Sequence, residues 1–224
     1  MRKDYSEKLL FIKDQFYEKL LTVRQCLVYS MDVLIVAEFD FKSFIKEIRI
    51  YERDTEGQIF QIIAQQSPNS RDLRLLLGIL KSLNDLHRIT KTINRISRVF
   101  NNYFSSTDLL DLNLFTNFDE MGKRLISMLD QIIDLYSATK VTPEKAELFQ
   151  QELTQADDYI DSLFKDIYNH LITKIQIELD SKKQAKILTE ILIVIRHMER
   201  LGDHLCNIAE KILYIETGDH FIIN

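Results

Sequence analysis

Glu199 and Asp203 in "MERLGDH" stand four residues apart, and so do Asp157 and Asp161 in "ADDYIDSLF". On a helix, residues at that spacing lie one turn above each other, about 5–6 Å between Cβ atoms. Each such pair of like charges weakens a helix by about 0.2–0.5 kcal/mol, so gathering all four acids calls for an opposite charge. A multivalent cation supplies it. Oxygen-rich sets suit Mg, Mn or Fe, and Zn also accepts carboxylates, so the donors leave the metal open. Gly202 lies between the two acids of the second pair and costs a helix interior about 1 kcal/mol relative to Ala. It fits a place where a neighbouring helix or an ion comes close. The alternative is a solvated acidic face, since 34 acidic residues make the spacing common by chance.

Two helices must position these acids. On the last helix the apolar seam runs Leu188, Ile191, Ile195, Met198, Gly202, Leu205 and Ala209. On the one before it runs Leu153, Ala156, Ile160, Leu163 and Ile167. Each acid directly follows a seam residue, at the edge of the apolar stripe. If the two helices form an antiparallel hairpin folded about residue 180, Asp157 is level with Asp203 and Asp161 with Glu199. Asp180 and Ser181 already read as a turn.

The rest of the chain reads as helix too. Hydrophobic residues make up 46% and charged residues 28%, with only 5 Gly and 2 Pro, a composition too apolar for disorder and too poor in turn formers for a β-sandwich. Leu9, Ile12, Phe16, Leu20, Val23 and Leu27 predict a helix from about Tyr5 to Val36. A second starts near Asp40 and ends before Pro68. A third runs from about Arg71 to Tyr103, with Asn69 to Asp72 as its cap. A fourth spans about Asp108 to Ala138, a fifth starts at Thr142-Pro143 and reaches about Glu178, and the last ends at Thr217 with Gly218 as its stop. Leu83 to Ser97 can be laid over Ile195 to Ala209, matching Arg88 with Arg200, Ile89 with Leu201, Ile93 with Leu205 and Ile96 with Ile208. The reading is all-α: two tandem three-helix bundles related by an internal repeat, over residues 1–104 and 105–224.

The net charge of -5 argues against nucleic acid as a partner. Cys26 and Cys206 have no metal-ligand spacing and read as reduced, buried thiols. Runs such as "VLIVA" fall far short of the roughly 20 residues of a membrane span, and the charged N-terminal stretch does not read as a signal peptide. A soluble, cytoplasmic protein is expected. His204 is about 100° around its helix from Asp203 and is assigned to the surface, while His170, His197 and His220 read as structural or exposed. The aromatics read as core, and any exposed set offers a dimer interface.

The segments "IIAQQSPNSRDLRLLLGILKSLNDLHRI" and "LIVIRHMERLGDHLCNIAEKILYIETGD" resemble the two signature regions of the PhoU family, regulators of bacterial phosphate uptake. The resemblance implies two three-helix bundles with E/D-x-x-x-D motifs on the second and third helix of each. It also implies iron or zinc held on those motifs, here Asp157, Asp161, Glu199 and Asp203. It implies a non-enzymatic role, acting with the ATPase subunit of a phosphate ABC transporter and a sensor histidine kinase to keep the phosphate-starvation response off. A homodimer, at most peripheral to the membrane, is expected.

In the first half the motif positions fall on Glu52 and Glu56, with His87 and Lys91 where the family has acids and Thr90 in place of the glycine. A hairpin folded at Ser70 and Arg71 puts Lys91 level with Glu52 and His87 level with Glu56. The expectation is a degenerate site in which a Lys91–Glu52 salt bridge replaces the metal, or in which His87 joins both glutamates on one ion. Competing readings are an accessory protein of a low-affinity phosphate transporter, a metal-free helical adaptor, and a carboxylate-lined metalloenzyme of the ferritin-like type. The last needs Glu-x-x-His on two helices, and no glutamate here has a histidine three residues on.

Overall fold

A computed structural model describes residues 2–32, 39–99, 101–102, 112–138, 140–177 and 182–223. Among these residues the chain forms six long helices and no strand: α1 (Arg2–Met31), α2 (Phe41–Gln66), α3 (Ser70–Val99), α4 (Leu112–Ser137), α5 (Pro143–Ile177) and α6 (Lys182–Thr217). The expected far ends of the first, third and fifth helices, the start of the fourth and the proposed 104/105 boundary lie outside the described residues.

The helix ends follow from local chemistry. The Asp40 carboxylate accepts from the backbone N–H of Lys42 and Ser43 at 3.1 Å each, satisfying two of the orphan donors that open α2. Asn69 does the same for Arg71 and Asp72 at 3.0 Å, and Thr142 accepts from Lys145 N–H at 3.3 Å ahead of Pro143. At the other end of α6, Gly218 takes φ 86°, a left-handed conformation that costs glycine little.

Helices α1, α2 and α3 pack on one another, as do α4, α5 and α6. The two sets are joined along α3 against α6, the most extensive helix pair in the molecule, and along α1 against α4. One continuous apolar core runs through both. The α1 stripe is inside it from Ile12 to Leu27, and the seam residues assigned to α5 and α6 are buried throughout. The repeat is visible as matched burial: Ile89, Ile93, Ile96, Leu201, Leu205 and Ile208 are all fully buried, while Arg88 and Arg200 are exposed.

Polar contacts fix how the halves sit. Arg24 on α1 donates from Nε and Nη2 to both oxygens of Asp130 on α4, at 2.6 and 2.9 Å, a fork that sets orientation as well as distance. At the α3–α6 seam, Asp85 is only 7% exposed; its Oδ1 stands 3.0 Å from His204 Nδ1 and its Oδ2 accepts from Lys211. His204 is therefore an inter-helix contact and not the surface residue assigned from the sequence. The helical angle from Asp203 was read correctly, but that direction points at α3, not at water. At Gly78 α3 comes close to α6: a Cβ there would sit 2.5 Å from the Ile215 side chain.

Candidate metal centre

Asp157 and Asp161 stand on α5, Glu199 and Asp203 on α6, each beside a buried seam residue that fixes its direction. A 35-residue and a 36-residue helix, antiparallel and joined between Ile177 and Lys182, place the two acid pairs opposite one another. Gly202 makes the approach close: a Cβ on it would lie 3.1 Å from Asp157 Oδ1 and 3.6 Å from Ile160 Cδ1.

The electrostatics describe one shared site. Burial pushes the Asp157 carboxyl up to about 6, and the charges of Asp203 and Asp161 add to the rise, while a hydrogen bond with the Cys206 thiol opposes it. Glu199 is raised by burial and by Asp203 and Asp161, against the pull of Arg196. Asp203 is raised chiefly by burial, with Asp161 contributing and His204 opposing. Each of these three is thus destabilised as an anion first by burial and then by at least one other acid of the ladder, Asp161 acting on all of them. Arg196 donates to Glu199 Oε1 at 2.8 Å, leaving Glu199 Oε2 buried with no hydrogen-bond partner. An orphaned, buried carboxylate oxygen facing other acids costs free energy, and a cation would satisfy it.

The donor set fits a hard or borderline divalent ion, with carboxylate oxygens supplied by two facing helices. As they stand the side chains form an open ladder: among the described residues no three histidine, cysteine, aspartate or glutamate side chains converge on one point. Arg196 and Cys206 are partners the sequence reading missed. The first was legible as an i, i+3 pair with Glu199. The second follows from Cys206 standing one turn beyond Gly202, on the face turned to Asp157. Both thiols are free and buried, with Cys26 pushed up to about 12 and Cys206 higher still, so they stay protonated at neutral pH.

The first-half positions come together differently from the expectation. His87 Nδ1 stands 3.4 Å from Glu52 Oε2, Glu56 is exposed, and Lys91 makes no ion pair with Glu52. The cause is the turn. The contact of His87 with Glu52 centres the hairpin between Asn69 and Ser70, two residues before the centre that would set Lys91 level with Glu52, which slides every level by about one helical turn. Burial and the charges of Lys91 and Arg49 hold His87 below the ordinary histidine range, against Glu52, so the ring is neutral at pH 7. The four groups do not form a carboxylate ladder.

A family model for the PhoU domain matches residues 118–212, which contain all four acids of α5 and α6. Along nearly its whole length the chain is similar to the "Phosphate-specific transport system accessory protein PhoU homolog" of Deinococcus radiodurans, 28% identical over 97% of this chain and 99% of that one. The protein of the same description from Borreliella burgdorferi is 28% identical over 98% and 97%. Among solved structures, PhoU from Pseudomonas aeruginosa superposes with a TM-score of 0.72 at 21% identity, over 97% of both chains. The phosphate transport system regulatory protein PhoU from Streptococcus pneumoniae gives 0.69 at 20% identity, over 98% of this chain and 96% of that one.

Proposed function

The chain belongs to the PhoU family, and on that premise we propose that it is an accessory protein of phosphate-specific transport that restrains the phosphate-starvation response. It acts in the cytoplasm without catalysing a reaction. Its partners are the ATPase subunit of a phosphate ABC transporter and a sensor histidine kinase, and it works as a homodimer. No described helix is long and apolar enough to cross a membrane, which fits a partner that reaches the transporter from one side. Phe11 and Phe60, each about half exposed, offer apolar surface for the second copy.

The reading includes a metal ion, iron or zinc with Mg or Mn as alternatives, held by Asp157, Asp161, Glu199 and Asp203. The observation that carries it is the unpaired Glu199 oxygen, set among acids that raise one another's proton affinity. Bound there, an ion would neutralise the ladder and tie α5 to α6. The His87 arrangement in the first half is not part of this site.

Three measurements test the reading. Metal analysis of the purified protein should find metal in the wild type and none in Asp157→Ala/Glu199→Ala; metal that survives the double substitution removes the ladder as its site. In cells, deleting the gene should leave a phosphate-starvation reporter on at high phosphate. A pull-down at high and low phosphate should recover the transporter ATPase and the kinase. Recovery of a low-affinity transporter instead would assign the chain to that system.

A further inference from the structure

Arg88, Lys91, Arg95 and Arg98 follow one another at spacings of three and four on α3, which puts four cations on one exposed stripe of a protein whose net charge is -5. Across the seam, α6 adds Lys186 to the same end. Between them lies a recess of about 350 Å³ lined by Arg95, Arg98, Asn102, Lys186, Glu190 and the apolar side chains of Val99, Ile193 and Val194. Three cations therefore meet one carboxylate, Glu190, and among the described residues none of the three forms an ion pair with it or with any other acid: Arg95 donates to the imidazole of His197, while Arg98 and Lys186 line the recess unpaired. Ile193, 46% exposed, gives the lining an apolar side. A surface that gathers like charges and withholds their counter-ions has an anion as its complement.

The recess selects the kind of anion. A single carboxylate carries one charge, whereas a phosphoryl group carries about 1.5–2 at pH 7 together with three acceptor oxygens. Guanidinium forks match those oxygens two at a time, and a lysine adds a point charge. The volume suits a compact ligand and not an extended chain. We propose that this recess binds a phosphorylated anion of at least two negative charges, its oxygens held by Arg95, Arg98 and Lys186 and its less polar part resting over Ile193 and Val194. Asn102 can donate its amide to the same oxygens, and Glu190 limits the affinity. The site is separate from the carboxylate ladder and does not depend on an ion being bound there. A soluble phosphorylated compound and the phosphomonoester headgroup of an anionic lipid share this chemistry.

Titration of the full chain with pyrophosphate by calorimetry, and sedimentation with vesicles carrying phosphatidylinositol 4-phosphate, whose headgroup ends in a phosphomonoester, test it. Saturable binding is expected in at least one arm. It should weaken by about tenfold or more in Arg98→Ala/Lys186→Ala, where charge-assisted hydrogen bonds are lost. Binding should tighten in Glu190→Gln and stay unchanged in Asp157→Ala/Glu199→Ala. Pyrophosphate binding assigns a soluble ligand, and vesicle binding alone assigns the headgroup. Absence of wild-type binding in both arms overturns the proposal. So does equal binding by the Arg98/Lys186 variant when its helical content matches the wild type, or loss of binding in the ladder variant with Arg98 and Lys186 intact.

Discussion

Asp157 is the acid whose ionisation is most opposed in the ladder, with a carboxyl raised from 3.8 to about 6. The folded state therefore holds its proton more tightly than the unfolded chain does. In chelator-treated protein this group makes stability fall as pH rises between about 4 and 6. Thermal melts of Asp157→Asn across that range should lose this downward component. A slope identical to the wild type would contradict the assigned cause. Asp85 has the opposite sign: burial would raise its carboxyl, but the contacts of His204 and Lys211 outweigh it and hold the group below the ordinary range, so its contribution is present above about pH 4 and lost in acid. Gly202→Ala gives a second test at this scale. The substitution adds about 1 kcal/mol of helix propensity, but its Cβ would press on Asp157 Oδ1 at 3.1 Å. We expect metal content to fall while the melting temperature stays within a few degrees. The four acids and Gly202 were legible because i, i+4 spacing and a seam are local patterns. Which oxygen would be left unpaired was not, since that depends on how Arg196 orients.

At the scale of helices, the α3–α6 seam carries the most consequence. Asp85→Ala removes a buried carboxylate and leaves the partly exposed Lys211 and His204 without their partner, a loss bounded by the cost of breaking a fully buried pair, about 3–5 kcal/mol. Its melting temperature should fall well below that of an exposed control such as Asp54→Ala. Gly78→Ala drives a methyl into Ile215 and should cost about 1–3 kcal/mol by overpacking, recoverable in part by Ile215→Val. Helix caps at Asp40, Asn69 and Thr142 were readable, because capping chemistry sits within three residues of the end it serves. The α2–α3 register was not readable to within a turn. A two-residue shift of the turn centre brings His87 in place of Lys91 to Glu52, a difference set by where Pro68 ends one helix and Asn69 caps the next.

For the whole molecule, the question is what an ion adds to a fold already built on a continuous apolar core. By linkage, an ion at about 100 times its dissociation constant stabilises the folded state by about 2.7 kcal/mol. In a chain of this length that corresponds to a rise of roughly 5–10 °C in melting temperature. Restoring metal to chelated wild type should produce that shift and leave Asp157→Ala/Glu199→Ala unmoved; an equal shift in both would place the ion elsewhere. Six helices and their grouping in threes could be read from periodicity and breaks. How the groups join could not, because Asp85 with His204 and Arg24 with Asp130 are each more than a hundred residues apart and no local pattern pairs them.

Asp203 and His204 are consecutive residues of α6, yet one turns toward α5 and the other grips Asp85 on α3. A helix backbone does not let two neighbours move separately. Any rotation of α6 that closes the acids around a guest must swing the imidazole by the same angle. Strain at the acids of the second half is in this way felt by α3 of the first, with no messenger other than a single peptide unit.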